Sequence, residues 1–460
     1  MFTDIKFLDH IPKYVQIRNY IKKMMDEGLL LKDEKLPSTR ELAGILSVSR
    51  NCVVSAYNAL EEDDLIYFKR GIGAFVSGLR MHYEKCEKGD VDWDEKLSKY
   101  ALECERLDLM KSDFIYSGKD IISFRSIAPD EKMFNMNDFK RAFLNVMSRE
   151  GAKLLNYGYA KGYKPLIDYL MDYMKDRGID TSGKDIIITN GFTEGFDMIL
   201  SALTKDGDSV ICENPTHNTA IKMMKLHNLN IEGIDMEHDG IDIDSLRKKA
   251  ADRGKYKMAY LVPSYHNPTG IVMSPEKRVE VCEILSKADI PLVEDGFSEE
   301  LRFYGAHASP VAALYGKEDG CIYIGSFSKI LFPGMRIGWI FADRKIISCM
   351  ESIKRARNIH TSVLDQAVLF EYFKEGSFKK YINRIRRIYR RKYDFALKAA
   401  GRYIPHAEIT GEGGFYIFAV LGGVNSRELL KRCIKKGAAF MPGDIFYTDG
   451  KGFDTMRLGF

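Results

Sequence analysis

Several signatures that would narrow the field at once are missing from this chain. There is no G-x-G-x-x-G and no G-x-x-x-x-G-K-[ST], which counts against dinucleotide and nucleoside-triphosphate sites. The eight cysteines fall at 52, 86, 104, 212, 282, 321, 349 and 433 without one C-x-x-C pair. Neither a zinc site nor a disulfide framework is therefore expected, and no metal. Most read as small buried hydrophobes. No apolar run approaches a membrane span, and Met1-Phe2-Thr3-Asp4-Ile5-Lys6 has neither the basic nor the apolar region of a signal peptide. A cytoplasmic protein without membrane contact is the expectation. An excess of one charge is lacking too. With 69 basic and 65 acidic residues the formal net charge is +4, so any grip on nucleic acid has to come from local arrangement. What is present is length: 460 residues exceed one ordinary core, and at least two domains are expected.

The first 80 residues have their own grammar. Val15, Ile17, Ile21, Met24 and Met25 recur at helical spacing between Tyr14 and Asp26, giving a first helix. Leu36-Pro37-Ser38-Thr39-Arg40-Glu41 supplies a proline stop and a capping box, so a second helix starts after Ser38 and runs to about Leu46. After the turn Ser47-Val48-Ser49, a third helix covers Arg50 to Leu60, polar at its start and apolar later. Two helices joined by a tight turn make a helix-turn-helix. Leu65 to Lys69, a turn at Arg70-Gly71-Ile72-Gly73, and Ala74-Phe75-Val76 read as a β-hairpin. The whole resembles the GntR-type winged helix-turn-helix over residues 10 to 77. That resemblance implies double-stranded DNA as partner, with Ser38 and Arg40 on phosphates, Ser49, Arg50 and Asn51 in the major groove, and Lys69 and Arg70 on the wing. A small helical domain used for protein contact is the bland alternative.

Residues 81–118 turn acidic and mixed, with Glu84, Glu87, Asp90, Asp92, Asp94 and Glu95 early and an amphipathic pattern from Tyr100 to Met110. They read as a linker, in part helical. From 119 to 460, short apolar runs alternate with helical patterns, which indicates an α/β domain with a largely parallel sheet. Its informative polar residues follow the strand ends, where open α/β sheets bind ligands. The strand Asp185 to Thr189 leads through Asn190-Gly191-Phe192 into a helix from Thr193 to Leu203, whose free amides suit an anion. Val210-Ile211-Cys212 leads to His217, Ala259 to Val262 leads to Asn267-Pro268-Thr269-Gly270, and Leu292-Val293-Glu294 ends at Asp295. Ile322-Tyr323-Ile324-Gly325 leads to Ser326-Phe327-Ser328-Lys329, with Arg336 seven residues later. That last group offers two hydroxyls, an amine able to form a Schiff base and a guanidinium able to fork onto a phosphate, which is what pyridoxal phosphate requires.

With Asn267-Pro268-Thr269-Gly270, Glu294-Asp295, Ser326-Phe327-Ser328-Lys329 and Gly334-Met335-Arg336-Ile337-Gly338 in this order, residues 119–460 resemble a fold-type-I pyridoxal-phosphate enzyme of the class I aminotransferase group. The resemblance implies that Lys329 carries the cofactor and that Asp295 pairs with its ring nitrogen, the two catalytic positions. It further implies that Asn267 bonds the ring hydroxyl oxygen, that His217 stacks on the ring, and that Ser326, Ser328, Arg336 and the amides around Phe192 and Thr193 hold the phosphate. Tyr157 would reach the phosphate of a partner subunit, and Arg457, in Met456-Arg457-Leu458-Gly459, would fork onto a substrate carboxylate. Two positions depart from the family pattern: Phe297 replaces a tyrosine that donates to the ring hydroxyl oxygen, and Phe192 replaces a phosphate-binding serine. Losing a hydrogen bond to a charged acceptor removes roughly 1.5–3 kcal/mol. A tighter hold on the Schiff-base proton is therefore expected.

Lys379 to Lys392 carries eight cations and no acid. With Tyr381, Ile385, Ile388 and Tyr389 near helical spacing it reads as a helix with a solvated cationic face, or as an auxiliary DNA or inter-domain contact. The complete arrangement, 1–80, 81–118 and 119–460, resembles the MocR subfamily of GntR regulators. The resemblance implies a homodimer whose enzyme-like domain senses an amino acid, an amine or pyridoxal phosphate itself through Lys329. The alternative is a working aminotransferase carrying an accessory DNA-binding domain.

Overall fold

The structure is a computed structural model that describes residues 2, 5, 7–77, 91–108, 121–296, 299–304, 308–316, 320–406 and 408–460. The chain divides into two compact units, Met1–Lys96 and Leu97–Phe460.

The smaller unit follows its sequence pattern closely. Helices α1 (Lys13–Asp26), α2 (Thr39–Leu46) and α3 (Arg50–Glu62) precede an antiparallel hairpin of β1 (Ile66–Lys69) and β2 (Gly73–Val76). Ser38 accepts from the Glu41 amide while the Glu41 carboxylate accepts from the Ser38 amide, so the capping box is complete. Ile17, Ile21, Leu42, Leu46, Val53, Tyr57 and Leu60 bury one face of each helix together. The Tyr57 hydroxyl donates to the Pro37 carbonyl at 2.7 Å, tying α3 to the entry of α2.

In the larger unit a helix α4 (Lys99–Arg106), capped by Ser98, packs against α6 (Asn218–Leu226). Part of the stretch read as linker is thus docked on this unit. Of the rest, 81–90 and 109–118 lie outside the described residues. The central sheet contains β3 (Lys184–Thr189), β4 (Ser209–Asn214), β5 (Asn230–Glu237), β6 (Gly240–Ile241), β7 (Tyr256–Leu261), β8 (Leu292–Asp295), β9 (Cys321–Ser326) and β10 (Gly338–Asp343). In space the order is β3-β10-β9-β8-β7-β4-β5-β6. β10 runs antiparallel to both its neighbours and β6 is antiparallel to β5, while the pairings from β9 through β5 are parallel.

The unbroken apolar runs have a simple cause. Ile186 and Ile188 enter the core on one side of the sheet and Ile187 enters the core on the other, as period-two alternation requires of a strand covered on both faces. Helix α5 (Gly191–Leu203) and α7 (Arg344–Asn358) belong to the second layer. A long helix α8 (Ser377–Tyr403) buries Tyr381, Ile385 and Tyr389 in the first. Its cations divide. Lys379, Lys380, Arg384, Arg387, Arg390 and Arg391 are exposed, Arg390 lying 4.3 Å from the Tyr304 ring, whereas the half-buried Arg386 donates to the Glu300 carbonyl. A second antiparallel sheet, β11 (Glu408–Thr410), β12 (Tyr416–Val420), β13 (Met441–Pro442) and β14 (Thr455–Gly459), carries Arg457. Among the described residues no helix is long and apolar enough to cross a membrane.

Candidate active site and DNA-reading face

The sheet topology brings five chain segments to one edge. Because β3, β4, β7, β8 and β9 point the same way, the residues that follow them, at 190–193, 215–219, 262–267, 295 and 326–329, all emerge there. β10 runs the other way, so Arg336, just before its first residue, is delivered to the same edge. Phe192, Thr193, His217, Asp295, Ser326, Ser328, Lys329 and Arg336 line one cavity of about 120 Å³, together with Thr219.

Arg336, Ser326, Ser328 and the start of α5 give this cavity groups that suit an anion. Helix α5 opens into it without a side-chain cap, so the amides of its first turn are available to a ligand. Arg336 donates from Nη1 to Ser328 Oγ at 3.1 Å and from Nη2 to the Asn190 carbonyl at 3.2 Å, and the Ser328 amide donates to Ser326 Oγ at 3.2 Å. Gly191 has φ of 77°, and a Cβ there would stand 2.6 Å from Arg336 Nη2. Glycine is what the guanidinium's approach requires. The helix start is held from behind. Glu194 accepts from the Asn190 amide, and the wholly buried Lys354 donates to both Glu194 oxygens at 2.8 and 2.9 Å and to Thr361 Oγ1 at 3.0 Å.

An amine and a carboxylate, Lys329 and Asp295, line the same cavity. Burial first, then the charges of Arg457 and Arg336, lower the Lys329 pKa to about 8, so a sizeable fraction of this amine is neutral and nucleophilic near physiological pH. Asp295 Oδ2 accepts from the Tyr260 hydroxyl at 2.7 Å. His217 Nδ1 is 3.9 Å from the same oxygen, but burial, with Lys329 and Arg457 nearby, lowers its pKa to about 3. A neutral imidazole makes this contact no ion pair. The His217 ring lies 5.0 Å from that of Phe192, which in turn stacks on Phe196 at 5.3 Å.

Asn267 and Arg457 form a second buried pair. Arg457 donates from Nη1 to Asn267 Oδ1 at 2.7 Å and from Nη2 to the Arg125 carbonyl at 3.4 Å, between the rings of Tyr416 and Phe446. Asn267 Nδ2 and Arg457 Nε are buried with no partner among the described residues. A buried donor without an acceptor costs about 1–3 kcal/mol, so both atoms mark a place for a polar ligand.

In the smaller unit Ser38, Arg40, Ser49, Arg50, Asn51, Lys69 and Arg70 are all exposed. Ser38 and Ser49 are already engaged as helix caps, Ser49 accepting from the Cys52 amide. Lys69 lies 4.7 Å from the Phe75 ring. Arg50 donates from Nε to Thr39 Oγ1 at 3.4 Å, while the exposed Arg40 and Arg70 form no ion pair with a described residue.

Comparison with known proteins joins the two halves. Residues 128–458 match the family model described as aminotransferase class I and II, and residues 13–76 match that of bacterial regulatory proteins, gntR family. The HTH-type transcriptional regulator YdfD of Bacillus subtilis is 27% identical over 465 residues, covering 100% of this chain and 94% of its own length. The chain belongs to the MocR subfamily of GntR-type regulators. Members of the wider aminotransferase class align with the MocR-type chain over its larger part alone. Aromatic-amino-acid aminotransferase 1 of Thermococcus litoralis is 30% identical over 385 residues, 82% of this chain and 92% of that protein. The crystal structure of Pyrococcus horikoshii kynurenine aminotransferase, in complex with PMP, superposes with a TM-score of 0.74 at 34% identity, covering 80% of this chain and 93% of that one.

For the MocR-type chain, most of the residues named from sequence gather as described, and two do not. Tyr157 is 80% exposed, set edge-to-face against His360, and does not line the cavity of its own chain. Phe297 lies outside the described residues. Three residues of the site were not foreseen. Thr219 is two positions beyond His217. Tyr260 sits inside an apolar strand, where a tyrosine reads as core until its hydroxyl's direction is known. Glu213, wholly buried, accepts from the Val262 amide through both oxygens at 2.9 and 3.0 Å, and burial raises its pKa to about 8. Its only signal is an acidic residue next to the end of a buried apolar strand.

Proposed function

We propose that this chain is a DNA-binding transcriptional regulator that holds pyridoxal phosphate at Lys329, senses an amino acid or amine there, and works as a homodimer on an operator with two half-sites. One observation carries the reading: a single cavity unites a partly neutral lysine, a strand-end carboxylate and an anion cradle, in a chain whose other unit exposes arginines on a helix-turn-helix.

The residues present suit the group. Arg336, Ser326, Ser328 and the first amides of α5 would hold its phosphate, and Gly191 leaves room for the guanidinium to do so. Asp295, steadied by Tyr260, would keep the ring nitrogen protonated. The spare amide hydrogens of Asn267 have no acceptor until a ring oxygen arrives. His217, uncharged, would lie on the ring face. When bound, the group supplies an aldehyde for amines and a ring that draws electrons from whatever is attached.

Lys329 is suited to carry it. With a pKa of about 8, roughly a quarter of the amines are neutral at pH 7.5, against about a thousandth at the ordinary value of 10.5. Arg457 remains charged at neutral pH even though burial lowers its pKa to about 10, so it can accept a ligand carboxylate. A ligand that frees the Lys329 amine leaves an additional basic group beside Arg457 and Arg336, which gives it different affinities for two arrangements of the protein. The exposure of Tyr157, away from its own cavity, supports completion of the site by a second copy.

The test is operator binding by the loaded protein, with and without an amino acid series, compared with Lys329→Ala. The regulator reading expects at least a fivefold ligand-dependent change in operator affinity that the variant lacks, without turnover. The completeness of the site favours one competing reading, a working aminotransferase. Multi-turnover transfer to a 2-oxo acid, abolished in Lys329→Ala, with operator affinity indifferent to ligand, would establish that one instead.

A further inference from the structure

The Lys329 cavity, at about 120 Å³, is small for a site that must also admit an incoming molecule. Ligand pockets are generally about 300–1,000 Å³. A neighbouring compartment of about 590 Å³ has the required size. Thr219 lines both, and the chain entering α6 runs from one to the other: His217, just before the helix, lines the Lys329 cavity and Asn218 the larger compartment. Arg125, on its wall, accepts through its backbone carbonyl from Arg457.

The polarity of this compartment is one-sided. Arg106, Arg125, Lys222 and Lys225 line it against a single carboxylate, Asp108. Arg106 shares its charge with Glu103, at 2.7 Å, and Glu103 is also drawn toward Lys225. Lys222 and Lys225 are in no ion pair with a described residue, and they stand one turn apart on α6, facing the same space. Two of the lining residues, Arg106 and Leu107, end helix α4 in the stretch that precedes the larger sheet and follows the DNA-reading unit in sequence.

Resting on the reading of Lys329 as the ligand-sensing amine, we propose that this compartment receives a second anionic group of the effector, so that the sensed molecule is a dicarboxylic or otherwise doubly anionic amine whose far end lies among the cations of this wall. Lys222 and Lys225 supply the recognition, and Arg457 the grip on the carboxylate nearer the amine.

The test compares L-2-aminoadipate with L-norleucine, which share a six-carbon chain and differ in the terminal carboxylate. Visible absorption of the protein loaded with pyridoxal phosphate is titrated with each, for the wild type and for Lys222→Met/Lys225→Met. Half-saturation by 2-aminoadipate at a concentration at least tenfold lower than by norleucine is expected, with the ratio falling below about threefold in the double variant and the norleucine value unchanged. Equal half-saturation in the wild type, or a ratio that survives the double substitution, overturns the proposal. Should neither amino acid alter the visible band, Lys329 is not the sensing amine, and calorimetry of glutarate binding to the same two proteins decides the compartment separately. Binding lost in the double variant supports it, and no binding to the wild type refutes it.

Discussion

Lys329 should destabilise the cofactor-free protein, and by an amount that depends on pH in a definite way. Its pKa falls from 10.5 to about 8, chiefly through burial. Below pH 8 the amine is charged in both folded and unfolded chains, and the folded chain bears the full cost of keeping a cation out of water beside Arg457 and Arg336. From the two pKa values that cost is about 3 kcal/mol at pH 7. Between pH 8 and 10.5 the unfolded chain binds more protons than the folded one, so stability rises with pH through that window and the cost falls to about 1.4 kcal/mol at pH 9.5. Replacing Lys329 with methionine keeps the length of the side chain and removes the charge. Urea unfolding of the larger unit in cofactor-free protein, followed at pH 7, 8.5 and 9.5, should find Lys329→Met more stable by about 3 kcal/mol at the first and by less than half of that at the last. A difference near zero at pH 7, or one that stays constant across the series, would refute the claim that this amine is held under electrostatic and desolvation stress.

Three further substitutions probe the surroundings. Gly191→Ala forces a side chain into a left-handed backbone at a cost of about 1–2 kcal/mol and pushes against Arg336, so affinity for pyridoxal phosphate, measured by equilibrium dialysis, should fall about tenfold or more. Lys354→Met leaves the Glu194 carboxylate without its buried cation, and a loss of about 3–5 kcal/mol in unfolding free energy is expected, relieved in part by adding Glu194→Gln. Arg50→Ala should weaken operator binding by about 1–3 kcal/mol in gel-shift titrations if the guanidinium meets a base edge, while leaving the visible spectrum untouched.

How much of this was legible in the sequence varied with the kind of interaction. The capping box at Ser38 and Glu41 is local, three residues apart, and appears as read. The strand ends bearing Asp295 and Lys329 were legible because a buried strand is an apolar run and its polar successor must surface at the sheet edge. Helix α5 begins at Gly191, two residues before the reading placed it, because a glycine at positive φ can open a helix that packing against Arg336 then shapes. Tyr260 and Glu213 were opaque for a different reason. Within a strand covered on both faces, alternation does not say which polar side chain meets a partner from another strand. Docking of α4 on α6 and the sharing of Thr219 between two compartments depend on contacts between segments more than a hundred residues apart in the chain, which no local pattern encodes. In the basic stretch at 379–392 the buried Tyr381, Ile385 and Tyr389 oppose a largely solvated cationic face, from which Arg386 departs by donating to the Glu300 carbonyl, a contact that the helical spacing does not encode.

The most direct test of the central claim is to purify the protein, add pyridoxal phosphate, and record its visible absorption beside that of Lys329→Ala, then measure operator affinity of both with and without an amino acid that changes the spectrum. A band near the visible edge is expected in the wild type alone, together with an operator affinity that moves with the ligand in the wild type alone. A colourless wild type, or an operator affinity that responds equally in both proteins, would contradict it.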